Sequence, residues 1–594
     1  MASRYVVGID LGTTNSAVAF AESGGTTVAQ MLPIAQIVQP GQVEERLLLP
    51  SFLYLPRPGE VPSGTLRLPW AMDRDYAVGE YARRQGSQVE TRLVASAKSW
   101  LCHAGVDRKA AILPFKAGEG DRRVSPVEAS TLYLRHLVEA WNAQFPSDPM
   151  SAQEIILTVP ASFDAVAREL TVEAARAAGL EHLTLLEEPQ AAFYAWLAQQ
   201  GEAWREQVTV GDVILVCDVG GGTADFSLIA VEQEAGRMIL RRVAVGDHIL
   251  LGGDNMDLTL AYFLAKKLGT KLDLGQMLQL RHAAREAKEA LLNDPNKTSA
   301  PITVVGRGSK LVGGTLRTEL TREELTAQLL DGFFPEVAAD ATPRAAHVAG
   351  FAEMGLPYAS DPSLTAHLAY FLRRHADDLS KYRQGPAQPT AVLFNGGVFK
   401  AAAFRQRVIE TLTRWSAGHA NPIKILPSAD LDLAVAQGAA YYGQVRQGKG
   451  VRIRGGTSRS YYVGIEMAQP AVPGVPPPIK ALCVVPFGME EGTETDVPGH
   501  ESFLVVNTPA EFRFLSSTVR QSDTVGLLLE EWDDRELEEM APLSTTLVDP
   551  SGTTQYIPVR LHSKVTEIGT LELWCLSRDG QQRWKLEFNV REKR

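Results

Sequence analysis

Two short stretches hold the residues best able to do chemistry. In "VVGIDLGTTNSAVAF", Val6 to Phe20, an apolar run reaches one carboxylate, Asp10, breaks at Gly12-Thr13-Thr14-Asn15 and resumes. Such a turn presents backbone N–H groups and two hydroxyls to one side, which suits phosphate oxygens. A carboxylate there would repel phosphate unless a cation lay between them, so Asp10 suggests hydrated Mg²⁺. Taken singly, the stretch also reads as a hairpin turn with a capping aspartate. "VILVCDVGGGTADFSLIAV", Val213 to Val231, repeats the form with Asp218, Gly220, Gly221, Gly222 and Thr223, and adds Asp225. The repeat predicts two related lobes facing across a cleft, with one polyphosphate and its metal clamped between them. A third turn, Gly396-Gly397 in "TAVLFNGGVFKAAAFRQRVIETL", is expected to approach a nucleoside, although alone it also reads as a simple tight turn.

These residues need rigid elements to position them. Val6 to Leu11 and Asn15 to Phe20 read as a strand and its return, Val213 to Val231 as a second such pair, and the third turn as a buried strand entering an amphipathic helix. At 594 residues the chain is too long for one core. Its 45% apolar and 22% charged residues describe an ordinary globular composition. The net charge of -11 argues against a nucleic-acid coat or an anionic membrane surface as partner. Four separated cysteines with no CxxC pair fit a reducing compartment and offer no metal signature. The N-terminus lacks a signal-peptide pattern, and no run of about 18 apolar residues occurs. The expectation is a cytoplasmic protein with no membrane partner. GxxxxGK[ST], HExxH, GxSxG and zinc spacings are all absent from the sequence.

Residues 1–445 resemble the seventy-kilodalton heat-shock chaperone family of the actin and hexokinase superfamily. The resemblance rests on an ordered set: "GIDLGTTNS", "AVGEYARRQ", "SAKSW", "ILTVPASFDAVARELTVEAARAAGL", "LLEEPQAAFYAW", "VCDVGGGTADFSL", "GDHILLGGDNMD", "REAKEALL", "LFNGGVFK" and "LDLAVAQGAAYYG". It implies an α/β fold: a two-lobed, actin-like (ribonuclease H-like) ATPase domain followed by a C-terminal antiparallel β-sandwich. It also implies slow, Mg²⁺-dependent hydrolysis of ATP to ADP. Asp10 and Asp218 would hold Mg²⁺ through water. Gly12, Thr13, Thr14 and Asn15 would contact phosphate, and Lys98 would reach the γ-phosphate. Glu188 would order the metal waters, and Asp225 would place the attacking water, with Thr223 beside the γ-phosphate. Gly220, Gly221, Gly222, Gly252 and Gly253 would line phosphates and ribose. Lys288, Gly396, Gly397 and Asp432 would surround the nucleoside. Pro160 and Arg168 match positions that relay nucleotide state in the family.

Departures from the family pattern bear on function. Glu289 and Leu292 stand where an arginine and a serine are usual, and Val398 where serine is common. A glutamate cannot stack on adenine as a guanidinium does, so weaker nucleotide binding is expected. Residues 339–379 form an insertion whose apolar spacing suggests helices on the second lobe. Residues 446–459, "QGKGVRIRGGTSRS" in part, read as a basic, polar linker unlike the family's apolar one. Residues 460–594 read as a β-sandwich for peptide or partner binding, with the Pro-rich "PAVPGVPPP" as a loop and "EEWDDRELEEM" as a solvated face. The expectation is a divergent, bacterial-type member without the helical lid. Partners would be unfolded or extended polypeptide, a J-domain co-chaperone and a nucleotide exchange factor; the alternative is a nucleotide-gated protein serving one dedicated partner. An appended β-domain counts against a small-molecule kinase or a filament.

Overall fold

The computed structural model describes residues 3–25, 28–86, 88–103, 105–247, 249–305, 315–344, 356, 358–382, 388–416, 422–428, 430–454, 457, 459–467, 478–489, 493–499, 502–533, 536–540, 543–549, 552–565, 571–580 and 582–586. The chain divides into two units. One comprises Met1–Ser162, Thr171–Leu240 and Gly246–Arg452; the other comprises Phe163–Leu170, Arg241–Val245 and Ile453–Arg594.

The first unit is built twice on one plan. Strand β1 (Tyr5–Leu11) is a near-continuous apolar run, buried at every position except Asp10, as befits a strand covered on both faces. It pairs antiparallel with β2 (Asn15–Glu22), with Asp10 opposite Ala17. A one-turn helix α1 (Ala97–Trp100) follows Ser96, which holds a left-handed backbone at φ 55°. Helix α2 (Pro126–Gln144) opens on Pro126 and is capped by Ser125, whose hydroxyl accepts from the Glu128 N–H at 3.0 Å. Strand β3 (Glu154–Val159) lies parallel to β1, and β4 (Leu183–Glu187) parallel to β3. Helix α3 (Glu188–Gln200) starts directly at the end of β4. The sheet order β4-β3-β1-β2 therefore places the hairpin on one side and the parallel strands on the other.

The second lobe repeats this arrangement. Strands β5 (Val213–Val219) and β6 (Ala224–Glu234) form the hairpin, with Asp218 opposite Asp225. They are followed by β7 (Arg237–Val245), α4 (Gly253–Leu268), α5 (Leu274–Asn293) and α6 (Leu364–Arg374). Strand β8 (Ala391–Asn395) returns parallel to β5, with Asn395 opposite Asp218. Then come α7 (Ala402–Trp415), β9 (Lys424–Ile425) parallel to β8, and α8 (Ala434–Arg446). The order β9-β8-β5-β6 matches that of the first lobe. Helix α8 presents Ala436 and Ala440 to Ala17 and Ala19 of β2, small residues that allow close approach. The expected insertion supplies α6, whose Phe371 ring lies 5.8 Å from Phe226 of β6; its residues 345–355 and 357 lie outside the described residues. In the stretch 446–459, α8 ends at Arg446, a two-residue strand Ile453–Arg454 follows, and 455, 456 and 458 lie outside the described residues.

In the second unit, β10 (Ser460–Glu466) pairs antiparallel with β11 (Ile479–Val485). Strand β12 (Ser502–Val506) belongs to another sheet, and β13 (Phe514–Ser517) flanks β10. Strands β14 (Gln555–Val565), β15 (Leu571–Ser577) and β16 (Arg583–Leu586) then run antiparallel in sequence, with β12 on β14. Val463, Leu482, Val484 and Phe514 of the first sheet share an apolar core with Leu504, Leu561, Leu573 and Leu586 of the second. The described acidic side chains of the run "EEWDDRELEEM" lie at the surface, as expected of a solvated face. There Glu536 pairs with Arg520 at 2.7 Å, Glu538 with Arg459 at 2.6 Å and Glu539 with Arg513 at 2.6 Å. The Pro-rich stretch lies outside the described residues up to Pro477.

Candidate functional site

The two hairpins meet across a cleft of about 600 Å³. From the first lobe it is lined by Asp10, Gly12, Thr13, Thr14, Asn15, Lys98 and Glu188. From the second it is lined by Asp218, Gly220, Gly221, Gly222, Thr223, Gly253, Lys288, Gly396, Gly397 and Asp432. Two expected residues do not line it. Asp225 stands opposite Asp218 on the antiparallel strand β6, and Gly252 backs the second turn instead of facing the cleft. The first N–H groups of α4 are spent on that turn: Gly253 N–H donates to Gly220 O at 3.0 Å and Asp254 N–H to Gly221 O at 2.8 Å. The turns approach closely. A Cβ on Gly221 would lie 1.9 Å from Thr14 Oγ1, so only glycine lets the two lobes meet here.

Three carboxylates, Asp10, Glu188 and Asp218, and the Lys98 ammonium line the cleft, with Asp225 paired across the strands from Asp218. Lys98, carried in by α1, pairs with Glu188 at the first position of α3. Thr158 of β3 donates to Asp10 Oδ1 at 3.3 Å. Asn395 of β8 donates through Nδ2 to Asp218 Oδ2 at 2.8 Å, and Ser162 donates to Asp225 Oδ1 at 2.7 Å. Burial, then the Glu188 charge, push Asp10 up to about 7, with Lys98 and Thr158 opposing. Burial, then Glu188, push Asp218 up to about 8, with Asn395 opposing. Burial likewise raises Glu188 and Asp225, against the pull of Lys98. Burial alone would lower Lys98, but Glu188, Asp10 and Asp225 outweigh it and keep the ammonium charged. Burial and mutual repulsion thus oppose ionisation of these carboxyl groups, and a cation beside them would favour it.

The nucleoside side differs from expectation in its pairing. Lys288 Nζ is held by Asp257 at 2.6 Å, and Asp432 by Lys400, so both are committed to ion pairs within the protein. Arg285, one turn before Glu289, also lines the cleft, 3.2 Å from Asp254 and 3.0 Å from Asp257. Sequence reasoning missed Arg285, Lys400, Thr158, Ser162 and Asn395. Asn395 alone had a legible signal, being the polar end of the buried strand "AVLFN" directly before Gly396.

The residues present fit Mg²⁺ and a polyphosphate. Thr14 Oγ1 is buried without a hydrogen-bond partner at the phosphate turn, and glycine turns leave a cradle that a Cβ would fill. Among the described residues no group of three or more His, Cys, Asp or Glu is arranged to ligate an ion directly.

Two lobes of one plan closing on a carboxylate-lined cleft define an actin-like ATPase domain in a mixed α/β chain. The family described as "Hsp70 protein" matches residues 6–341, more than half of the sequence, and the chain belongs to that family. It is similar to the "Chaperone protein HscA homolog" of Pseudomonas aeruginosa, at 33% identity over 306 residues, covering 49% of this chain and 42% of that protein. It is also similar to the "Chaperone protein HscA" of Serratia proteamaculans, at 33% over 313 residues, 50% and 44% of the two chains. The homolog in Azotobacter vinelandii is 32% identical over 302 residues, 48% and 42%. The matched stretch spans less than half the length of these relatives. No helix among the described residues is long and apolar enough to cross a membrane.

Proposed function

We propose that this chain is an ATP-driven chaperone: it binds MgATP in the cleft, hydrolyses it slowly to ADP and phosphate, and couples nucleotide state to capture of unfolded or extended polypeptide. The observation that carries this reading is the convergence of Asp10, Glu188, Asp218 and Lys98 between two glycine-bearing turns. In it, Thr13, Thr14 and the turn N–H groups receive phosphate oxygens. Asp10 and Asp218 hold metal waters, and Glu188 orders them. Bound Mg²⁺ supplies neutralisation of the phosphate oxygens. Lys98 stabilises charge on the transferring phosphoryl, and Asp225, steadied by Ser162, positions the attacking water beside Thr223. The apolar strip of Leu292, Val398, Phe404 and Val435 suits a nucleobase.

The two antiparallel sheets of residues 460–594 are taken as a β-sandwich that receives peptide, and 446–459 as the linker. A J-domain co-chaperone and an exchange factor are the partners this reading implies. Four cysteines without disulfides suit a reducing, cytoplasmic setting. ATP turnover by the purified chain, with and without an unfolded polypeptide, tests the proposal. Stimulation by polypeptide is expected; turnover indifferent to it would reject the chaperone role.

A further inference from the structure

We propose that Asn395 is a positioning residue for the metal side of the site, fixing the Asp218 carboxylate from the neighbouring strand; the inference rests on the Mg²⁺-nucleotide reading above. Asn395 is the last residue of β8 and only 3% exposed, and the parallel register sets it beside Asp218. Its Nδ2–H donates to Asp218 Oδ2 at 2.8 Å. The next residue, Gly396, takes φ 84° and packs so tightly that a Cβ there would lie 2.6 Å from Asp218 Oδ1. One carboxylate oxygen is therefore tied down by the amide, and the other lies over space that glycine keeps open.

The first lobe carries the same device at the equivalent place. Thr158, on the strand parallel to β1, donates to Asp10. Each metal-side aspartate is thus braced by a polar side chain on its parallel neighbour, and the second brace is shorter. A buried carboxylate with both oxygens free would rotate, and holding one of them selects the orientation in which the other meets metal water. Outer partners of this kind are commonly worth 10–100-fold in metal affinity. The arrangement also joins the third turn to the metal, since Asn395 and Gly396 are consecutive.

The test is calorimetric titration of ADP with and without Mg²⁺ on the full chain, for the parent, Asn395→Leu and Asn395→Ser. Leucine preserves volume and removes the donor; serine keeps a shorter O–H donor. The parent should bind ADP more tightly with Mg²⁺. Asn395→Leu should lose about 10- to 100-fold of that Mg²⁺-dependent increment, keep its metal-free ADP affinity, and be partly rescued by Asn395→Ser. An unchanged increment in Asn395→Leu, or an equal loss with and without Mg²⁺, would overturn the assignment. If Asn395→Leu does not fold, Asn395→Ser decides alone: a reduced increment supports the role and a parental one rejects it. A parent with no Mg²⁺ increment would instead reject the metal reading itself.

Discussion

The two halves of the cleft share a plan but differ in how their aspartates are compensated. Asp10 has a cation within its field, Lys98, and a hydroxyl donor at 3.3 Å. Asp218 has an amide donor at 2.8 Å and three carboxylates, Glu188, Asp225 and Asp10, acting on it. The result is a carboxyl pushed up to about 7 in the first half and about 8 in the second. The difference lies in the charges at hand: an ammonium acts on Asp10, whereas carboxylates act on Asp218. The first half brings its own ammonium, which is also the group best placed to meet the transferring phosphoryl.

The largest effect is expected from removing that ammonium. Lys98→Ala should lower turnover by about 100- to 1000-fold, because a charge aimed at the transition state contributes most there. ATP affinity should largely persist. Single-turnover hydrolysis alongside equilibrium ATP binding checks this, and parental hydrolysis would show Lys98 to be misassigned.

A smaller loss is expected from pushing the halves apart. Gly221→Ala would set a Cβ 1.9 Å from Thr14 Oγ1. Overpacking of this sort costs roughly 1–3 kcal/mol, read as a lower midpoint in thermal melts of the nucleotide-free protein. Adding Thr14→Ala should recover part of the loss; no recovery would place the conflict elsewhere.

Protonation offers a third probe. Asp10 and Asp218 are raised in the folded protein, so between about pH 4 and pH 8 the folded state binds more protons than the unfolded state. The stability of nucleotide-free protein should therefore fall as pH rises through this window, with Asp218 dominating its upper end. Thermal melts from pH 6 to 8.5 should show the decline, and Asp218→Asn should flatten it. MgADP should stabilise more at pH 8.5 than at pH 6. A melt that rises with pH in both proteins would contradict the assigned burial.

The smallest effect concerns the nucleoside rim. Glu289 is 60% exposed and 3.7 Å from Arg285, so Glu289→Arg exchanges a screened charge at the edge of the cleft. Nucleotide binding should tighten only about two- to fivefold. Calorimetry showing no change or weakening would mean that Arg285 already governs this rim.

The two phosphate turns and the third turn were legible in their glycine-bearing strand ends, whereas Lys98 in "SAKSW" and Glu188 in "LLEEPQAAFYAW" were singled out only by the family resemblance. The strand pairs were legible for a related reason: runs such as "YVVGIDL" and "VILVCDV" are too apolar to be anything but buried. What was not legible depends on register. Asn395 reaches Asp218 across 177 residues, and Thr158 reaches Asp10 across 148. Neither residue type advertises such a partner until parallel pairing is known. Lys288 and Asp432 show the converse, since their ion partners Asp257 and Lys400 were visible as residues but not as neighbours.

The central claim is that both aspartates serve one metal-dependent hydrolysis. The most direct measurement is phosphate release from ATP by purified parent, Asp10→Ala and Asp218→Ala proteins, each with and without Mg²⁺. Slow release that requires Mg²⁺ in the parent and is lost in both variants is the predicted result. Parental release in either variant, or release from the parent that is indifferent to Mg²⁺, would contradict it.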